Sequence, residues 1–117
     1  MTPTQYLKKL RALCKRLPGT SERARFGHPN FAAGGRLFAA FEVYRGIPSI
    51  AVLATQAEQS FLLQNPIFYR TPYVGSRGWV SADLREQPPW PLLTELLQRG
   101  HALALAPRPR KKRTRAR

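Results

Sequence analysis

The side chains able to do acid–base, nucleophilic or metal chemistry are few and scattered. Cys14 is the only thiol. It shares a helical stripe with Leu7, Leu10 and Leu17, which fits a small core residue better than a nucleophile. The two histidines, His28 and His101, fall in different elements. There is no His-x-x-x-His, no cysteine pair and no cluster of carboxylates. Metal ligation is therefore not expected, and neither is a cofactor. Gly34-Gly35 sits in a hairpin rather than before a helix, so it makes no phosphate-cradling loop. Catalysis needs a positioned constellation, and with none visible the chain reads as a non-enzyme. The residues left to carry chemistry are arginines and lysines, whose chemistry is the holding of phosphate or carboxylate.

Those cations are abundant: 20 Lys+Arg against 6 Asp+Glu, a formal charge of +14 on 117 residues. Seven of them lie in Pro107–Arg117, PRPRKKRTRAR, with no acid among them. That leaves 13 basic and 6 acidic residues, or +7, in residues 1–106. The terminal run has no apolar residue larger than alanine and should be disordered in isolation. It divides the chain into a domain, 1–106, and a basic tail, 107–117. Arg108, Arg110, Lys111, Lys112 and Arg113 are candidate phosphate contacts, since each placed cation releases a condensed counterion. A solubilising tail is the equally weighted alternative.

A second concentration, Lys8, Lys9, Arg11, Lys15 and Arg16, precedes the first acid, Glu22. Tyr6, Leu7, Leu10, Leu13, Cys14 and Leu17 make the apolar stripe of the helix that bears it. Thr2 is its cap, Pro3 its first residue, Gln5 the capping-box partner and Pro18-Gly19 its end. A solvated helix face is the plainer reading of these charges.

Beyond the helix the pattern changes to strands. Residues 22–26 alternate, with Arg23 and Arg25 on one side. A strand at 31–33, the turn Gly34-Gly35 and a strand at 36–43 follow. Arg45-Gly46 turns into 48–54. Residues 55–64 read as a short helix stopped by Asn65-Pro66, and 67–75 as an aromatic-rich loop. A strand at 77–84 leads to a last helix from Pro88-Pro89, in which Gly100 is an end or an interruption. The fold class is α+β: a two-layer sandwich, an antiparallel sheet with two main helices on one face.

An open sheet leaves its other face to water. Alternation assigns Arg23, Arg25, Arg36, Phe38, Arg77 and Trp79 to it, a basic surface with two rings able to stack on bases. Coverage of Phe38 and Trp79 by the 67–75 loop, or a register slip, would remove that surface. The 43% hydrophobic content suits a folded domain. No apolar run approaches the ~18 residues of a membrane span. The lack of a secretory leader and a single cysteine point to the cytoplasm. With no apolar edge or heptad stripe unassigned, a monomer is expected.

Particular segments resemble a known family. They are Leu17-Pro18-Gly19-Thr20-Ser21-Glu22, Phe26-Gly27-His28-Pro29-Asn30-Phe31 leading to Gly35-Arg36-Leu37-Phe38-Ala39, Asn65-Pro66, Gly78-Trp79-Val80, and Trp90 through Leu97. In this order they look like the MmcQ/YjbR family of small bacterial proteins, over residues 3–106. The resemblance implies a CyaY/frataxin-like fold and DNA binding through a double-wing arrangement of strands and loops. Frataxin relatives also bind iron through an acidic surface and use a sheet tryptophan for partner contacts. Trp79 is similar in type and placement. The acidic ridge is unmatched, so iron binding is not carried over. Arg36 stands where lysine is common, and Gly100-His101 where Ser-Tyr is common. The expected function is non-enzymatic DNA binding by phosphate contacts. A protein-interaction module on the open face is the alternative, and a small-molecule binder near His28 a third.

Overall fold

The structure is a computed structural model that describes residues 1–107; the tail positions Arg108, Arg110, Lys111, Lys112 and Arg113 lie outside the described residues. Helix α1, Pro3–Lys15, leads into the meander β1 (Thr20–Arg25), β2 (His28–Ala33), β3 (Arg36–Tyr44) and β4 (Ile47–Val52). Helix α2 (Gln56–Leu62), β5 (Phe68–Arg70), a 3₁₀ turn (Gly75–Arg77), β6 (Val80–Asp83) and α3 (Trp90–Leu105) follow. One six-stranded antiparallel sheet has the order β1-β2-β3-β4-β6-β5. The architecture is α+β, as the pattern predicts. Three differences are local: β2 already begins at His28, β5 forms where a loop is expected, and the late strand begins only at Val80.

Local chemistry explains the element ends. The Thr2 hydroxyl accepts from Gln5 N at 3.2 Å, and Gln5 Oε1 accepts from Thr2 N at 2.7 Å. Thr55 and Glu58 make the same reciprocal box on α2. Gly100 neither ends nor breaks α3. It faces the sheet, and a Cβ there would meet Leu53 O at 3.0 Å and Val52 Cγ1 at 3.1 Å. Glycine in a helix interior costs ~1 kcal/mol relative to alanine, and here it permits close approach of the two layers. Next to it, His101 Nε2 donates to Pro18 O at 2.7 Å and its ring meets Phe38 edge-on, centroids 5.5 Å apart.

The cross-strand register sorts side chains by face. Glu22, Phe31, Ala39, Val52 and Val80 form one row. Glu22 takes a bidentate pair of bonds from Arg11 of α1, at 2.8 and 2.7 Å, so this row faces the helices. The adjoining row, Arg23, Asn30, Ala40, Ala51 and Ser81, faces away from them.

The strand β3 breaks its alternation. Phe31 pairs with Ala39, but Ala32 pairs with Leu37, so Phe38 is an extra residue, a β-bulge. Before the bulge the even residues Arg36 and Phe38 turn to the helices, and after it the odd residues Ala39 and Phe41 do. Phe38 is thus fully buried rather than on the open face.

Two outcomes test this packing. Phe38→Ala should cost about 3–5 kcal/mol of stability, the range for emptying a buried aromatic site, read by denaturant unfolding; a surface platform would lose almost nothing. Arg11 also holds the Glu22 carboxyl below its ordinary pKa of 4.5, chiefly by hydrogen bonding. A depressed carboxylate contributes stability above its unfolded pKa and loses it as pH falls through the folded one. Glu22→Gln should therefore lose up to about 1 kcal/mol at pH 7 and flatten the fall in stability below about pH 4.5, since the pair is half-exposed.

Candidate nucleic-acid interface

The six arginine and aromatic positions assigned to the open face do not form one surface. Arg23 and Arg25 do stand on it, exposed, along the edge strand β1. Arg36 does not: its guanidinium reaches the helix layer, where Nη1 donates to Leu103 O at 3.2 Å. Phe38 is core. Arg77 is exposed on the 3₁₀ turn rather than in a strand. Trp79 precedes β6, half-buried against the edge of the core, and its carbonyl accepts from Gln59 Nε2 at 2.8 Å. The sheet order places Arg23 and Arg25 on the edge strand and Arg77 beside the β5–β6 pair at the opposite edge. The centre between them is small, Ala40, Ala51 and Ser81, with Glu42 and Asp83 nearby on the same face.

Two exposed arginines, Arg25 and Arg45, stand at one end of the sheet. In the meander, the β1–β2 and β3–β4 turns share an end, and the β2–β3 turn lies at the other. All three are two-residue turns with positive φ at both positions: Phe26 57° and Gly27 79°, Gly34 59° and Gly35 79°, Arg45 52° and Gly46 79°. Such turns match the twist of the strands and favour Asn-Gly or Gly-Gly. The far turn obeys that preference. The two that share an end place Phe26 and Arg45 in the left-handed region, which costs each roughly 1 kcal/mol or more. Each tip also carries an arginine against a ring: Arg25 lies 5.5 Å from the Phe26 centroid, and Arg45 lies 5.2 Å from that of Tyr44. Phe26 is 80% exposed and Tyr44 61%.

Three arginines and one histidine take up most of the carboxylates among the described residues. Glu22 is held by Arg11, Asp83 by Arg85, and Glu58 and Glu95 by Arg99. Glu42 faces His28 at 3.8 Å. Among the described residues, Arg23, Arg25 and Arg45 form no ion pair. Phe26, Tyr44 and Arg45 are the residues that sequence reasoning missed. The available signal was Phe-Gly and Arg-Gly in turn positions that ordinarily take Asn-Gly.

Other chemistry is sparse. Among the described residues no three His, Cys, Asp or Glu side chains gather as a metal site, and no helix is long and apolar enough to cross a membrane. Cys14 is buried on α1, and its thiol pKa is pushed up to about 12, first by burial and then by the Glu22 charge. At pH 8 it should react with a disulfide reagent at least 100-fold more slowly in the native protein than in denaturant, because thiolate is scarce and access is closed. A fast native reaction would place Cys14 at the surface.

A family model described as YjbR matches residues 15–103. Among solved structures, the crystal structure of Deinococcus radiodurans protein DR2400, with its DUF419 domain, is similar over 87% of this chain and 80% of that one. The TM-score is 0.74 at 24% identity, a likeness of fold. No curated protein matches.

Proposed function

The chain belongs to the YjbR family, and from there we propose that it is a non-enzymatic nucleic-acid-binding protein, with DNA as its ligand, that acts mainly by holding phosphates. The observation that carries this reading is the end of the sheet where Arg25 and Arg45 sit on adjoining hairpin tips, with Arg23 behind them and, among the described residues, no carboxylate partner for any of the three. Guanidinium groups so placed are available to phosphate oxygens, which supply most of the affinity in such complexes. The formal charge of +14 supports it, half of it carried by Pro107–Arg117. Phosphate contacts position a nucleic acid without reading its sequence, so the reading is of sequence-tolerant binding.

A second reading is docking of a partner protein on the sheet face turned away from the helices, whose centre carries only the small, buried side chains of Ala40, Ala51 and Ser81. It predicts no salt-dependent binding to DNA.

Fluorescence-polarisation titration at several salt concentrations separates the two. Each phosphate contact contributes about 0.7–0.9 log units of affinity per log unit of salt. The variant carrying Arg23→Ser, Arg25→Ser and Arg45→Ser should lower the slope by about 2–3, three contacts at that value each. A chain ending at residue 106 should lower it further and additively. Loss confined to the truncated chain would move the contacts from the tips to the tail, and no binding at low salt would sink the proposal.

A further inference from the structure

We infer that the two hairpin tips are stacking platforms for unpaired bases, so that a single strand is preferred over a closed duplex. The inference rests on the nucleic-acid reading above and names the ligand of the same site. Phe26 and Tyr44 add nothing to phosphate binding, yet both rings are held out, 80% and 61% exposed. At each tip an arginine guanidinium lies near the ring, Arg25 by Phe26 and Arg45 by Tyr44. A base arriving on a ring's free face would complete an arginine–ring–base stack, while the same arginine stays within reach of the adjoining phosphate. Stacking of this kind is sequence-tolerant, because every base has a π-face.

The spacing of the tips excludes a stacked ligand. The β1–β2 and β3–β4 turns are two strand intervals apart, about 10 Å. That is about three times the 3.4 Å rise of stacked bases. Bases seated on both rings cannot be stacked neighbours, and a duplex keeps its base faces covered. An extended strand meets both conditions. The strain supports the assignment independently. A left-handed φ at Phe26 and at Arg45, together with an exposed ring at each tip, are unfavourable for folding, and the β2–β3 turn avoids them with Gly34-Gly35.

The test uses the full chain and three probes of equal length: an oligothymidylate, a duplex, and an abasic oligodeoxynucleotide that keeps phosphates but lacks bases. Polarisation titration should show the oligothymidylate bound at least about fivefold more tightly than either of the others, the low end of one stacked base. Phe26→Gly and Tyr44→Ser should together abolish that preference and leave the salt slope unchanged. Phe26→Gly relieves the left-handed strain and should not lower the melting temperature, so the loss cannot be assigned to unfolding. Equal binding of all three probes, a duplex preference, or a preference that survives both substitutions would each overturn the stacking inference while leaving phosphate binding intact. No binding of any probe at low salt would overturn both.

Discussion

The two layers of this molecule are held at the distance that Gly100 allows. A Cβ at that position would press on Leu53 O, Val52 Cγ1 and Phe38 O, at 3.0, 3.1 and 3.4 Å. With only a hydrogen there, α3 lies directly over β3 and β4. The residues around it then have fixed partners: the His101 ring against Phe38, its Nε2–H on Pro18 O, and Arg36 on Leu103 O. These contacts join the end of α1, the middle strands and the last turns of α3. They also commit one arginine and one aromatic ring to the interior seam. What is left for the solvent side is decided by this packing as much as by charge.

The bulge at Phe38 follows from the same contact. A large ring is needed on the helix side opposite His101, and Ala39 and Phe41 must also face inward to meet Val52 and Ile50. Regular alternation cannot turn both 38 and 39 to one face. One extra residue in β3 resolves the conflict. Sequence periodicity carries the strand itself and the inward Ala39 and Phe41, because those obey the period of two. It cannot carry the bulge, which is specified by a partner more than sixty residues away. That is why Arg36 and Phe38 read as outward-facing and are not. The cap at Thr2, the turns at Gly35 and Gly46 and the amphipathic stripe of α1 were legible because each is a local device. The short β5 was not, since three residues among turn formers carry no period.

Charge placement shows the same division. Among the described residues, five of the six Asp and Glu carboxylates have a basic or imidazole partner within 4.0 Å, and Arg11, Arg85 and Arg99 account for four of them. Those surface pairs contribute little to stability, typically below about 1 kcal/mol each. Their larger effect is on the field. They neutralise α1's tie to β1, the end of β6 and the α2–α3 flank, so net charge of +14 overstates how uniformly basic the surface is. Among the described arginines of the sheet layer without a carboxylate partner, Arg23, Arg25 and Arg45 lie at β1 and two turns, while Arg36 and Arg70 are tied by hydrogen bonds to Leu103 O and Gln59 and Arg77 stands at the opposite edge. A count of charges could not reveal this, because it depends on which arginine each carboxylate reaches.

The turns themselves hold the remaining argument. Three two-residue hairpins with the same backbone geometry occur in one meander, and so they serve as controls for one another. If folding alone chose the residues, all three first positions would drift toward Gly, Asn or Asp, which enter the left-handed region at least cost. Gly34 conforms. Phe26 and Arg45 do not, and they are the two that share an end of the sheet. Strain at one turn could be an accident of drift. Strain at both turns of one end, each with an arginine beside an exposed ring, is what the stacking proposal accounts for; Tyr73, also left-handed and fully exposed, shows that such strain occurs elsewhere too. A ligand with negative charge and flat faces would recover the loss by binding the folded protein and not the unfolded chain. On the stacking proposal, the destabilised turns and the basic tips serve one requirement: a rigid sheet end that presents cations and rings at a fixed separation of about two strand intervals.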